Sequence, residues 1–395
     1  MRRFLLGLVS LAVVGLGLWL VRPLKSAPDP VFPEKSGFVV HPYLQMATLD
    51  SITVCWETEK PGTSVVRYGV GKPTQSVASD KNGTFHEITI TGLKPGPYVY
   101  EVETTTSEGK VTSPLLTFQP AVGPEEPYSF ILIGDTQRNP KVTARLAAVA
   151  FARRPNFVVH LGDVVDDGRS KEQWVNDLLG PCRDLIARVP IYPCIGNHEK
   201  NHAYYYQYFS LPKPEYYYSF TYGNAEFFSI DTNKKVGPGS EQYKWLDEAL
   251  GKSKAKWKFV YHHHPVYTSD DDDYGNTWKG ITSFQGDRNA RQLATLYDKH
   301  KVDVVFSGHV HFYERSHPIR NGKVNPRDGT VYLISGGGGG RLENFAPVPP
   351  AFKAQCRSVY HICYVTVLDN KFSLRAFDEH GALFDVFEIE KKESR

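Results

Sequence analysis

Five short segments of this chain follow apolar runs with residue types that bind metal ions. They are Gly134-Asp135-Thr136-Gln137, Gly162-Asp163-Val164-Val165-Asp166, Gly196-Asn197-His198-Glu199, His262-His263-His264-Pro265 and Gly308-His309-Val310-His311. Carboxylates, amide oxygens and neutral imidazoles form a mixed oxygen and nitrogen donor set suited to zinc, manganese or iron. In extended chain, residues two apart project to the same side, so His309 and His311 can face one point. Each segment alone has a plainer reading. Gly-Asp at a strand end is a common turn, Asn-His a helix cap, and a His-x-His pair a solvated loop. Five such segments, each at the end of an apolar run, point instead to a metal cage.

The elements that must position these residues are legible as a pattern. From Tyr128 onward, apolar strands alternate with helical stretches, the signature of an α/β layer fold. Strands are expected over 129–133, 157–161, 189–195, 225–230, 258–261, 302–306 and 330–334, with two more near 361–368 and 372–377. Helices are expected over 142–153 and 288–300. Ser170-Lys171-Glu172-Gln173 reads as a capping box opening another, and Ser240 caps one that stops at Gly251. In open α/β sheets the site lies at the carboxyl ends of the strands, where glycine lets the backbone turn sharply. Residues 37–120 differ in texture, with short strands such as Ile52-Thr53-Val54-Cys55-Trp56 alternating between apolar and polar. Leu93 to Val102 resembles the tyrosine-corner region of fibronectin type III and immunoglobulin-like sandwiches, with the corner residue left open between tyrosines.

The 395 residues favour two or three domains, and a net charge of +3 with no Lys/Arg block gives no footprint for nucleic acid. Arg2 and Arg3 precede an uncharged apolar run over 4–21, so residues 1–27 read as a signal peptide or an N-terminal membrane anchor. The body is therefore expected outside the cytoplasm (secreted, periplasmic or membrane-anchored), touching membrane only through that segment. Of the five cysteines, Cys182 with Cys194 and Cys356 with Cys363 are close enough in sequence to pair, and five buried thiols are the alternative.

Taken in order, the five segments are similar to those of the calcineurin-like metallophosphoesterases. The run His309-Val310-His311-Phe312-Tyr313-Glu314-Arg315-Ser316 resembles the purple acid phosphatase branch, as does a fibronectin-like domain placed first. The resemblance covers residues 37–390. It implies an all-β sandwich over 37–120, then over 127–390 an α/β, four-layer domain with two packed mixed sheets flanked by helices. It further implies two divalent or trivalent metal ions (Fe, Zn or Mn). Asp163 would bridge them, Asp135 and His311 would hold the first, and Asn197, His263 and His309 the second. Gln137 stands where other members place a histidine, and its amide oxygen would complete the first ion's shell. Asp166, which would sit behind the ligands or start the Asp167-Gly168 turn, replaces the tyrosine that colours the purple enzymes, so a colourless protein is expected.

The chemistry implied is hydrolysis of a small phosphorylated substrate, a phosphate monoester foremost. Two such ions lower the pKa of a bound water and clamp phosphate oxygens during in-line attack. His198, next to ligand Asn197, would protonate the leaving oxygen. Glu199 would orient His198 or cap the next helix, His264 would sit behind the ligands or on the rim, and Arg315 and Arg341 would approach phosphate. The acidic run Asp270 to Asp273 reads foremost as a solvated loop, with an extra cation or repulsion of polyphosphates as the alternative. Gly336 to Gly340 would form a flexible wall. Two other functions fit the same pattern: a diesterase or nucleotide pyrophosphatase on the same cage, and an extracytoplasmic binding or adhesion module with a degenerate enzyme domain.

Overall fold

The computed structural model describes residues 37–275 and 279–392, so the expected signal or anchor segment lies outside the described residues. Among those described, no helix is long and apolar enough to cross a membrane. The first unit contains six strands, Phe38–Gln45, Ser51–Gly69, Gln75–Thr91, Tyr98–Thr106, Gly109–Thr112 and Leu116–Phe118. Where several short strands were expected, Ser51–Gly69 is one strand that serves both sides of the sandwich. Its first half pairs with Phe38–Gln45, its second half with Tyr98–Thr106, and Gln75–Thr91 pairs along both. The register breaks around Gly62, after Pro61, which lets the strand bend without ending. Trp56 fills the centre, donating from Nε1 to Thr104 Oγ1 at 2.8 Å and stacking on His86. The corner tyrosine is Tyr98, whose hydroxyl accepts from the Lys94 N–H at 2.9 Å.

Two mixed sheets form the second unit. One has the order Leu383–Glu390, Lys371–Asp378, His361–Leu368, Tyr128–Ile133, Phe157–His160, Ile191–Pro193, and its last three strands are parallel. The other runs Tyr218–Tyr222, Ala225–Ile230, Trp257–His262, Val304–Ser307, Val331–Ser335, Tyr313–Ser316, Lys353–Arg357, with the second to fifth parallel. Aromatic side chains interleave between them: Phe130 meets Phe227 at 5.3 Å and both Phe259 and Phe306 at 6.1 Å. Helices Glu241–Lys252 and Ala294–His300 cover the outer face of the second sheet through Leu246, Leu250 and Leu296. Helix Pro140–Phe151 lies on the first, its start two residues earlier than expected because Pro140 opens it and Asn139 caps it.

Three local expectations are corrected. Ser170 makes no side-chain cap bond, and Gln173 accepts from Asp167 N–H at 2.6 Å instead, so a short helix and a wide turn over Trp174–Leu179 replace the capping box. Gly251 stays inside its helix, which ends at Lys252. All five cysteines are free thiols, four of them buried among apolar side chains.

The sandwich shares one apolar core with the second unit, running continuously through Tyr43, Trp56, Trp174, Tyr192 and Tyr208. Hydrogen bonds stitch that core: Tyr43 Oη donates to Tyr208 C=O at 2.6 Å and Tyr100 Oη to Ala187 C=O at 2.7 Å. Glu57, at 1% exposure, accepts from Tyr208 Oη at 2.8 Å and pairs with Lys171 at 2.5 Å. Removing that carboxylate strands the tyrosine hydroxyl. Glu57→Ala should lower unfolding stability by about 1–3 kcal/mol in chemical denaturation; a change under about 0.5 kcal/mol would show that the lock is idle.

Candidate metal centre

Each candidate ligand stands just past the carboxyl end of a parallel strand. Asp135 follows Tyr128–Ile133, Asp163 follows Phe157–His160, Asn197 follows Ile191–Pro193, His263 follows Trp257–His262, and His309 and His311 follow Val304–Ser307. Cross-loop bonds then fasten these turns together: Asp135 N–H to Gly162 C=O, Thr136 N–H to Asp163 C=O, and Gly308 N–H to His263 C=O, all within 3.0 Å. Asp135, Asp163 and His309 themselves adopt positive φ, at 61°, 53° and 71°. Asp and His tolerate that region better than bulkier residues, and such backbone persists where surrounding structure enforces it.

The donor atoms converge. His263 Nε2 lies 3.1 Å from Asp163 Oδ2 and 2.9 Å from Asn197 Oδ1. His309 Nδ1 lies 3.1 Å from the same Asn197 oxygen and 3.2 Å from His263 Nε2. On the other side, His311 Nε2 is 3.6 Å from Asp135 Oδ1 and 3.3 Å from Gln137 Nε2. Backbone carbonyls orient two of the rings. His263 Nδ1 donates to Leu161 C=O at 2.9 Å and His311 Nδ1 to Arg341 C=O at 2.8 Å, which points each Nε2 inward.

Electrostatics agrees with a place built for positive charge. Asp135 and Asp163 are essentially without solvent exposure. Burial works to lower His263, but the Asp163 carboxylate overrides it and raises the imidazole to about 10. Burial, followed by the charge of His263, lowers His309 to about 3, and burial lowers His311 as well. The residues fit metal ions on a further observation. Gln137 Oε1 is buried without a hydrogen-bond partner, and its amide faces His311, so a rotated amide would direct that oxygen to a cation.

The remaining candidates separate into those at the centre and those elsewhere. His198 points Nε2 toward Asp163 Oδ2 at 3.9 Å while its Nδ1 donates to the Asp166 carbonyl at 2.5 Å. Asp166 thus holds His198 by its backbone, and its carboxylate Oδ1, 3.4 Å from the same Nδ1, accepts from Arg138 Nε at 2.6 Å. Glu199 neither orients His198 nor caps a helix. Its buried carboxylate accepts the N–H groups of Asp163, Val164 and Gly196, tying two ligand turns together. His264 lies beside His309, rings 4.5 Å apart, with Nδ1 at 2.8 Å from Thr232 Oγ1. Arg315 is not at the site: it forks onto Asp385 at 2.8 and 3.1 Å, because the strand after His311 carries it to the other sheet. Arg341 contributes its carbonyl, and its side chain is exposed. The glycine run is no flexible wall; all five are buried, and Gly338 and Gly340 donate to Gly134 and Asp135 carbonyls. Nor is the acidic run simply solvated, since Asp270 is 4% exposed and Asp273 lies 3.5 Å from His309.

Sequence reasoning missed Arg138 and Glu343, the latter accepting His311 N–H at 2.9 Å. An arginine in a turn and a glutamate in a loop carry no local signal; only the loop packing brings them in.

Comparison with known proteins follows the same residues. Residues 128–313 match the family model for calcineurin-like phosphoesterases. A soybean (Glycine max) purple acid phosphatase is 27% identical over 77% of this chain and 74% of its own length. An Arabidopsis thaliana protein called "Probable inactive purple acid phosphatase 27" is 24% identical over 81% of this chain, which spans 60% of that relative's length. Among solved structures, a purple acid phosphatase from yellow lupin seeds superposes with a TM-score of 0.79 at 20% identity, over 89% of this chain and 74% of that one.

Two outcomes test the geometry. A Cβ at position 196 would overlap Asp163 Oδ1, so Gly196→Ala should displace that carboxylate and cost at least half of the bound metal, read by elemental analysis. With Asp166 turned to Arg138, iron-loaded protein should show no visible charge-transfer band; a band would mean that a tyrosine reaches the metal.

Proposed function

Because the chain carries a calcineurin-like phosphoesterase domain of the purple acid phosphatase type, we propose that it is a two-metal phosphatase acting on small phosphate monoesters outside the cytoplasm. The observation that carries this reading is the convergence of Asp163, Asn197, His263 and His309 within 3.2 Å contacts, beside Asp135, Gln137 and His311. In this reading Asp163 lies between the two groups of ligands and serves both. The apolar run over 4–21 supports export.

Metal ions bound there would supply charge neutralisation for the phosphate oxygens and a water activated at neutral pH. This chain's residues provide the rest. Hydrolysis adds the water oxygen to phosphorus and breaks the bond to the alcohol oxygen, which must receive a proton to leave. His198, acting as the general acid, gives that proton from Nε2, the nitrogen that faces Asp163. The Asp166 carbonyl holds Nδ1, so the ring cannot turn its donor away, and Arg138 fixes Asp166 in turn. The names of three relatives include the word inactive; the donor set retained here supports an active enzyme.

Phosphate release from a monoester and a diester model substrate, by full-length protein loaded separately with manganese, zinc and iron, tests the reading. Turnover should favour the monoester and vanish in Asp163→Asn. Preference for the diester would replace the reaction proposed, and silence with every metal would leave a binding module. His198→Ala should slow turnover by about 100-fold or more, most severely for poor leaving groups. If alkyl phosphates are hydrolysed as fast by that variant, another group is the acid.

A further inference from the structure

The acidic run at 270–273 does not hang in solvent. Glu314, on the strand that begins two residues past His311, accepts Thr268 Oγ1–H at 3.0 Å and Ser269 N–H at 2.8 Å through one oxygen. Buried Asp270 then accepts the N–H groups of Asp272 at 3.2 Å and Asp273 at 2.6 Å. From outside, Ala346 N–H binds Ser269 C=O and Phe284 N–H binds Tyr274 C=O, each at 2.7 Å. Two buried carboxylates thus shape this loop and register it against the same stretch of chain that carries His309. Its product is one placement: Asp273 Oδ2 lies 3.5 Å from His309 Nε2.

That nitrogen is the one His309 does not turn to the centre. Its Nδ1 faces Asn197 and His263, so Nε2 is the ring's outward N–H. A carboxylate at the outward nitrogen of a metal-binding histidine fixes the tautomer and ring orientation and makes the inward nitrogen a better donor. Backbone carbonyls do this for His263 and His311. Among the described residues, no backbone carbonyl does this for His309; Asp273 lies at its outward nitrogen. Its own backbone, at φ 71°, gives the ring an orientation that needs support from elsewhere.

We infer that Asp273 is the positioning carboxylate of His309, and so a determinant of affinity for the ion held by Asn197, His263 and His309. This rests on the metal-centre reading above. It distinguishes Asp273 from Asp272, which shares the loop, its charge and its exposure; the contact with His309 is made by Asp273.

Chelator competition with zinc, and again with manganese, on the full chain resolves the two ions by affinity. In Asp273→Ala one dissociation constant should rise about 10- to 100-fold and the other stay within twofold. Asp273→Asn, which keeps an acceptor oxygen, should show a smaller rise, and Asp272→Ala none. Thermal unfolding in excess chelator checks folding; if Asp273→Ala melts early there, Asp273→Asn is read instead against Asp272→Ala. Unchanged constants in the Asp273 variants overturn the inference while leaving the metal centre standing. An equal loss in Asp272→Ala also overturns it, since loop charge alone would then be responsible. A parent protein that binds no metal sinks the metal-centre reading and this inference together.

Discussion

Two carboxylates, Asp135 and Asp163, are buried where the carboxyl ends of two sheets meet, and a third, Glu199, is buried beside Asp163, whose N–H it accepts. Carboxylates out of water are tolerated only when paired and hydrogen-bonded. Asp135 receives the His309 N–H, Asp163 the His198 N–H and the His263 imidazole, and Glu199 three backbone N–H groups. Even so, burial pushes Asp135 and Glu199 upward. The place therefore favours positive charge, and the neighbouring imidazoles and amides are oriented to share it.

Everything around that point is arranged to keep the ligand turns from drifting apart. The aromatic layer between the sheets fixes their separation, and the glycine run over 336–340 lets the Asp135 and His311 turns approach without intervening side chains. A Cβ at Gly340 would lie 2.7 Å from the His311 ring, closer than real side chains pack. The sandwich takes part from behind. Its shared core reaches Tyr192 and Tyr208, on the elements that flank the Asn197 turn, so the first unit braces one wall of the site without lending it a ligand.

Much of this is legible in residue order alone. An apolar run followed by Gly-Asp, Gly-Asn-His or Gly-His-x-His is a local pattern, because strand, turn and donor are neighbours in sequence. The layer architecture is legible for the same reason, since strand and helix periodicities are short-range. The ends of elements are less so: Ser170 could cap a helix, but Gln173 is drawn to Asp167, and Gly251 is carried through by the packing of Leu246 and Leu250.

The sequence by itself determined which residue types stand at the strand ends, and hence the donor set and the class of chemistry. Only the tertiary structure decided which of them share a point and which nitrogen each ring turns inward. Arg315 shares a motif with His311 and is expected to approach phosphate, yet strand direction sends it to Asp385 in the other sheet. Asp273 looked like one of four solvated acids, yet Glu314 and Asp270 fold its loop against His309. The physical reason is range: donor chemistry belongs to a side chain, while its orientation is set by carbonyls and carboxylates distant in sequence.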